Sequence, residues 1–356
     1  MPAPDLTQPL VPTFEVLING TALEALARGH VTRITVDHST ELPSMFTLEM
    51  VDSSGADQLI SWIDDARFFT LGNSVDVQLG YPDKVESLIK GEITGVEPEF
   101  TNGHTRLTVR GYDGRHRLQR GRHTRTFVQQ KDSDIAAQIA GEAGLTAQVE
   151  DSGIVHDYVL QPNQSDLDFL QARARRIQFE VVVEDKTLIF RPVGNAQSEI
   201  MTLSLADLLL EFYPRLVSGG QVSEVNVRSW SVKDKKELVG KAKAGDEAST
   251  MGGQSSGGAI SESAFGAAVA LVSELPVLSQ SEADQIAKAR LNALSLELIT
   301  AEGSCWGRTD LRSGSVIRVE GVGDRFSGQY YVKSAIHNYQ PQGGYRTHFS
   351  LRRSGA

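Results

Sequence analysis

Two blocks of short runs with a period of two, on either side of a stretch with helical periodicity, constrain this chain more than any other feature. In Phe14-Glu-Val-Leu-Ile18, Val31-Thr-Arg-Ile-Thr-Val36, Phe46-Thr-Leu-Glu-Met-Val51, Ser74-Val-Asp-Val-Gln-Leu79 and Thr105-Arg-Leu-Thr-Val109, apolar and polar side chains alternate. Successive side chains of an extended strand point to opposite faces, so the alternation predicts strands with one buried face. Asn19-Gly20, Tyr81-Pro-Asp83 and Asn102-Gly103 lie between these runs and supply the dihedrals of tight reversals. The alternation returns in Val222-Ser-Glu-Val-Asn-Val-Arg-Ser-Trp230, Val316-Ile-Arg-Val319, Gln329-Tyr-Tyr-Val-Lys333 and His348-Phe-Ser-Leu351. The expectation is a mainly β chain with two antiparallel β-domains, each a barrel or sandwich.

Between them the period lengthens. Asp132 is placed to cap a helix with the apolar face Ile135, Ala136, Ile139, Ala140 and Ala143, ended by Gly144. Ser165-Asp-Leu-Asp168 reads as a capping-box start before the stripe Leu167, Leu170, Ala174 and Ile177. Phe179–Val183 and Thr187–Phe190 then flank the acidic turn Glu184-Asp-Lys186, which completes a small α+β unit. Further on, Ser279-Gln-Ser-Glu282 is a capping box for a helix with Ala283, Ala287, Leu291, Leu294 and Leu298 on its buried stripe. Residues 55–71, with Leu59, Ile60, Trp62 and Ile63, read as helix-like. The resulting division is an arm over 1–13 with four prolines, a first β-domain over 14–125, an α+β insert over 126–198, a second β-domain over 199–353 and a tail over 354–356. Within the second β-domain, Gly, Ser and Ala dominate 242–266, which reads as a flexible loop, and the helix is expected over 281–298.

Composition narrows the function. The chain has 356 residues and a formal charge of −10 with pI ≈ 5.4, which argues against the electrostatic footprint of a stable nucleic-acid binder. No long apolar run or signal-like start occurs, so neither membrane insertion nor Sec export is expected and synthesis is placed in the cytoplasm. A lone cysteine, Cys305, leaves no internal disulfide framework. The eight histidines show no helical ligand spacing, and no metal or other cofactor is expected. The carboxylate pairs Asp64-Asp65, Asp166/Asp168 and Glu184-Asp185 could in principle serve glycoside cleavage, yet turns and helix starts explain them better. Gly252–Gly258 lacks the lysine of a phosphate loop. No catalytic constellation emerges, and the expectation is a protein that is not an enzyme.

One charge feature stands out. Arg110, Arg115, Arg117, Arg120, Arg122 and Arg125 cluster with His116 and His123 around a single acid, Asp113. In an acidic chain such a cluster suggests a partner-facing patch, with Arg115, Arg117, Arg120, Arg122 and Arg125 as its candidate residues. Its arginines could dock carboxylates of a neighbouring subunit or line a channel for acidic cargo. The alternative is a solvated strand end and linker.

Three stretches resemble the phage late control D proteins and the hub part of VgrG-type spike proteins, the tail-hub family of contractile tails. They are Gly111–Leu118 with Arg120–Phe127, Ser165–Ala174 with Phe179-Glu-Val and Leu188–Phe190, and the run from Pro276–Asp284 through Gly314 and Gly321–Tyr331 to Gly344–Arg346. The resemblance spans roughly 14–353. It implies two tail-tube-like antiparallel β-barrels joined by an α+β region and assembled as a homotrimer. Three chains then offer six similar barrels, a pseudo-six-fold face that adapts a hexameric inner tube to a trimeric spike. Other baseplate proteins would be further partners, and the trimer would become part of a phage virion or an extracellular contractile particle. Two rival readings are a cell-wall hydrolase at the tail tip and a cargo- or receptor-binding module.

Overall fold

The computed structural model describes residues 11–52, 62–101, 104–232 and 234–356. Most of the proline-bearing arm, the first part of the helix-like segment 55–71 and the Asn102-Gly103 turn lie outside the described residues.

The chain is mainly β, as expected, and most of its strands join one 13-stranded sheet. From one edge to the other the order is Leu209–Leu216, Ile299–Trp306, Gly344–Arg353, Gly328–Gln340, Val31–Ser39, Met45–Asp52, His104–Tyr112, Lys84–Thr101, Ser74–Tyr81, Thr13–Ile18 and Thr21–Ala22. Val316–Glu320 pairs with Gly328–Gln340, and Thr202–Ser204 pairs with Val316–Glu320. The N-terminal and C-terminal blocks therefore share a sheet. Val31–Ser39 and Gly328–Gln340 bond edge to edge and leave neither as a free edge. Among the described residues no pairing closes either block into a separate barrel.

The period-two runs pack as their pattern requires. Thr13–Ile18 and Met45–Asp52 alternate buried and half-buried positions along their whole length. Asn19 and Gly20 take φ of 51° and 80° in the first reversal, and Tyr81 pairs with Lys84 across Pro-Asp. Val16, Ile34, Val36, Phe46, Leu48, Val77 and Val109 form one core, to which Tyr339 and Tyr345 from the far end of the chain contribute. A second core holds Leu203, Leu298, Ile317, Tyr330 and Phe349.

Helix Asp132–Glu142 and helix Asp166–Arg176 pack Ile135, Ile139, Leu167 and Leu170 against the hairpin Phe179–Glu184/Thr187–Pro192. The Ser165 hydroxyl accepts the amide of Asp168 at 3.1 Å, as the sequence indicates. Asp132 does not cap. The start of its helix is closed by the Lys131 amide donating to Asp134 at 3.0 Å, and the Asp132 carboxylate is drawn inward by the Arg173 guanidinium. Gly144 follows the helix at φ +72°, and the next amide, that of Leu145, reaches back to the Ala140 carbonyl.

The residues 199–353, expected to make one barrel, supply two sheets. Glu224–Ser231, Lys236–Lys243 and Val269–Val272 form a separate three-stranded sheet covered by helix Gln280–Ser295. That helix is shorter than the expected 281–298 at its C-terminal end, because Leu298 turns into the core of the large sheet. The segment 242–266 is likewise not a structureless loop: it contains the end of a strand and helix Gly257–Phe265. Its glycines serve close packing. A Cβ on Gly258 would lie 2.4 Å from the Val222 carbonyl oxygen, and one on Gly257 would lie 2.1 Å from the Gln221 side chain.

Candidate interaction surface

The arginine stretch runs from the last residues of strand His104–Tyr112, through the single helical turn Arg115–Leu118, into strand His123–Lys131. Its members face different ways. Arg115 is buried and does not belong to an outward patch. Its guanidinium grips Asp113 at 2.8 and 2.9 Å and also donates to the Ser39 carbonyl and the Ser44 hydroxyl. Asp113 completes the cage by accepting the Ser44 and Arg115 amides. The side chain that looks most like a docking group thus holds the turn at 39–44 against the junction.

Arg117 is exposed and pairs with Glu92 at 2.8 Å; His116 lies 3.4 Å from the same carboxylate. Arg125 is half-buried, lies over the Phe127 ring and is held by Gln161, Glu142 and Asp166. Two arginines remain without an acidic partner among the described residues. Arg122 donates to the Asn163 carbonyl at 2.8 Å, and Arg120 is exposed.

These two sit at one end of a two-stranded ribbon, His123–Lys131 paired with Val155–Gln164. Phe127 and Val159 point inward, opposite each other in the ladder. The other face presents the cross-strand pair Tyr158 and Val128, 53% and 59% exposed, with Leu160 and Val155 beside them. Apolar side chains on an otherwise solvated ribbon, with unopposed arginines at its end, form a surface that can bury area and fix register with carboxylates. The sequence alternation located the strands. It did not show that Tyr158, Val128 and Leu160 share the outer face, because that depends on the pairing register.

A second feature was illegible in the sequence. Asp132, His156 and Glu282 are all buried. Arg173 donates to Asp132 at 2.5 Å and approaches His156 Nε2 at 2.8 Å. Arg176 donates to Glu282 at 3.0 Å, and Glu282 Oε1 lies 3.8 Å from His156 Nδ1. Burial pushes the Asp132 pKa up, but hydrogen bonds from His156 and Arg173 more than offset it and hold the carboxyl below its usual range. Glu282 also accepts the Leu278 amide, so its capping role and its ion pair share one carboxylate. Tyr331 makes a parallel tie by donating to Glu180 at 2.6 Å, where Arg191 also binds. The α+β unit is thereby fastened both to helix Gln280–Ser295 and to the large sheet. Replacing Glu282 with Ala should cost about 3 kcal/mol, because Arg176 loses its buried partner; urea titration of the variant provides the value.

The carboxylate pairs singled out from sequence do not converge. Asp65 is bound by Arg67, Asp166 by Arg125, and Glu184 and Asp185 sit on an exposed hairpin turn. Burial pushes the Cys305 thiol up to about 12. Among the described residues no group of three or more His, Cys, Asp and Glu side chains could hold a metal ion, and no helix is long and apolar enough to cross a membrane.

A family model described as the Alg8 N-terminal domain matches residues 8–340. No curated protein matches the chain significantly. Among solved structures, the 43 kDa tail protein of prophage MuSo2 from Shewanella oneidensis is similar with a TM-score of 0.72 and 14% identity, over 96% of this chain and 98% of that one. The tail protein from Neisseria meningitidis MC58 is similar with a TM-score of 0.69 and 14% identity, over 96% of each chain. The Escherichia coli c3393 protein is described as a type VI secretion component with structural similarity to the T4 bacteriophage tail proteins gp27 and gp5. It has a TM-score of 0.60 and 13% identity, over 96% of this chain and 77% of that one. At these identities the likeness is one of fold.

Proposed function

The chain belongs to the Alg8 N-terminal domain family, and on its fold we propose that it is a structural subunit of a contractile tail or injection-system baseplate, the hub between inner tube and spike. The observation that carries this reading is the match to a tail protein over nearly the full length of both chains. In its finer form the chain is a homotrimer. Each copy contributes two β-blocks from one sheet, so three copies offer six comparable faces to a hexameric tube ring and three to a spike. The work is mechanical: it transmits force and makes or breaks no bond.

The outer face of the ribbon, with Arg120 and Arg122, is the contact with a neighbouring subunit in this reading. Changing both arginines to Ser should leave the melting temperature of the isolated chain unchanged while lowering the yield of assembled particles at least tenfold. Unchanged yield removes the arginines from the interface. The hub itself is tested by light scattering of the purified chain, alone and mixed with its tube and spike proteins. A trimer, alone or formed on adding the spike protein, supports it. A chain that stays monomeric with both partners and degrades peptidoglycan overturns it in favour of a tip-associated hydrolase.

A further inference from the structure

The ladder between Val31–Ser39 and Gly328–Gln340 joins the two halves of the large sheet, and each strand brings one histidine to it. His38 lies opposite Ala335 and His337 opposite Val36, which makes the two histidines diagonal neighbours on one face. Their rings meet edge to face with centroids 5.4 Å apart. His337 is 0% exposed and His38 8%, and neither Nε2 atom has a hydrogen-bond partner.

The surroundings are suited to neutral rings. From Gly344–Arg353, the Tyr345 hydroxyl lies 2.7 Å and the Thr347 hydroxyl 3.2 Å from His337 Nδ1, and Tyr81 stands behind Tyr345. The loop before Val316–Glu320 contributes Arg312, which disfavours a charged ring, and the Leu311 carbonyl, whose opposite and smaller pull on His337 does not offset it; the first junction contributes Arg115. Asp113, Glu184, Asp185 and Lys90 line the same cleft as His38, but Asp113 is taken by Arg115, Asp185 pairs with Lys90, and Glu184 and Asp185 sit on the exposed hairpin turn. Among the described residues no carboxylate bonds to either imidazole, and the charged groups that act on the rings are cationic.

We propose that His38 and His337 form an acid-sensitive seam, along which the sheet parts between its halves before either half unfolds. A proton on either ring places a buried charge against the other ring and Arg312 with no counter-ion, and separating the strands gives both rings to water. The titration runs in the required direction. Burial, then Arg312, pushes His337 down to about 3; burial, then His337, Arg312 and Arg115, pushes His38 well below its ordinary value of 6.5. The closed seam therefore binds fewer protons than the open one. It is intact above pH 6.5 and weakens as pH falls from 6.5 towards 3. At pH 4.5, two units below the open-state value, His337 alone favours opening by a factor of about 100, and His38 adds to it in the same direction.

Hydrogen exchange of the full chain at pH 7.5 and 4.5, corrected for intrinsic rates, tests this. Peptides covering 31–39 and 328–340 should lose at least a hundredfold in protection at the lower pH, while 104–112 and 299–306, inside the two halves, keep theirs. The double variant His38→Gln with His337→Gln should abolish that selective loss. If the double variant does not fold, His38→Gln alone, at the rim of the cleft, should reduce the seam loss while leaving the interior peptides as they are. Parallel loss in seam and interior peptides, or an undiminished seam loss in a folded variant, overturns the proposal.

Discussion

Arg115→Met is expected to lower the unfolding free energy by about 3–5 kcal/mol, the range for breaking a buried ion pair by removing one partner. The side chain is 1% exposed and its apolar stem can be replaced; its guanidinium cannot. Without it the Asp113 carboxylate, 3% exposed, keeps only the Ser44 and Arg115 amides, and the Ser39 carbonyl and Ser44 hydroxyl lose their donor. Arg115→Lys should lose less, since a charge remains but the planar fork does not. Adding Asp113→Asn to Arg115→Met should recover about 1–3 kcal/mol, because neighbours that share a network do not add. Urea midpoints at constant m-value give all three numbers. A loss under about 1 kcal/mol in the single variant would mean that water or a rearranged side chain replaces the guanidinium. Because the effect lies in the isolated chain, it is separable from that of Arg120 and Arg122, which concerns assembly.

Gly240→Val is expected to be as damaging, with a steric clash as the origin. Gly240 lies in Lys236–Lys243 where helix Gln280–Ser295 crosses the small sheet, and a Cβ there would be 2.1 Å from the Ala283 carbonyl carbon and oxygen. The obstacle is helix backbone, which cannot rotate aside. The helix has to move, and with it Glu282 leaves Arg176 and the surroundings of His156. Overpacking usually costs about 1–3 kcal/mol; adding the loosened ion pair brings the expected loss to about 4 kcal/mol or more. Gly219→Ala is the control, as nothing lies within 4 Å of a Cβ there. The comparison needs thermal unfolding of both variants, with exchange protection of residues 280–295 as the local readout. Equal melting temperatures would show that the helix does not rest on Gly240.

What the sequence made legible follows the range of the interactions involved. Alternation along Phe14–Ile18 or Phe46–Val51 reports a buried face directly, and Ser165 reports a cap three residues away; both are local and both were read correctly. Asp132 looks like a cap in the sequence because its competing partner, Arg173, is 41 residues further on. The joining of the two β-blocks into one sheet is hidden for the same kind of reason, since periodicity identifies strands but not which strands pair across the length of the chain. Composition alone points to looseness at 252–258, whereas the backbone there passes within contact distance of Val222 and Gly355. Among the five arginines of the candidate patch, charge alone could not separate Arg115, whose partners include Ser39 and Ser44, from Arg120 and Arg122, which face outward.

The pairing of Val31–Ser39 with Gly328–Gln340 also sets a timetable for synthesis. The first partner emerges when little of the chain exists, and the second only after about 290 more residues, roughly 15–60 s at ordinary translation rates. Throughout that interval one side of a half-buried, alternating strand has no native neighbour, and a contact of such high sequence separation forms slowly. Slower growth at low temperature stretches the wait, but it also weakens the hydrophobic attraction that drives mispairing. The seam is therefore the contact at which mispairing is expected to compete with folding until the distant partner arrives.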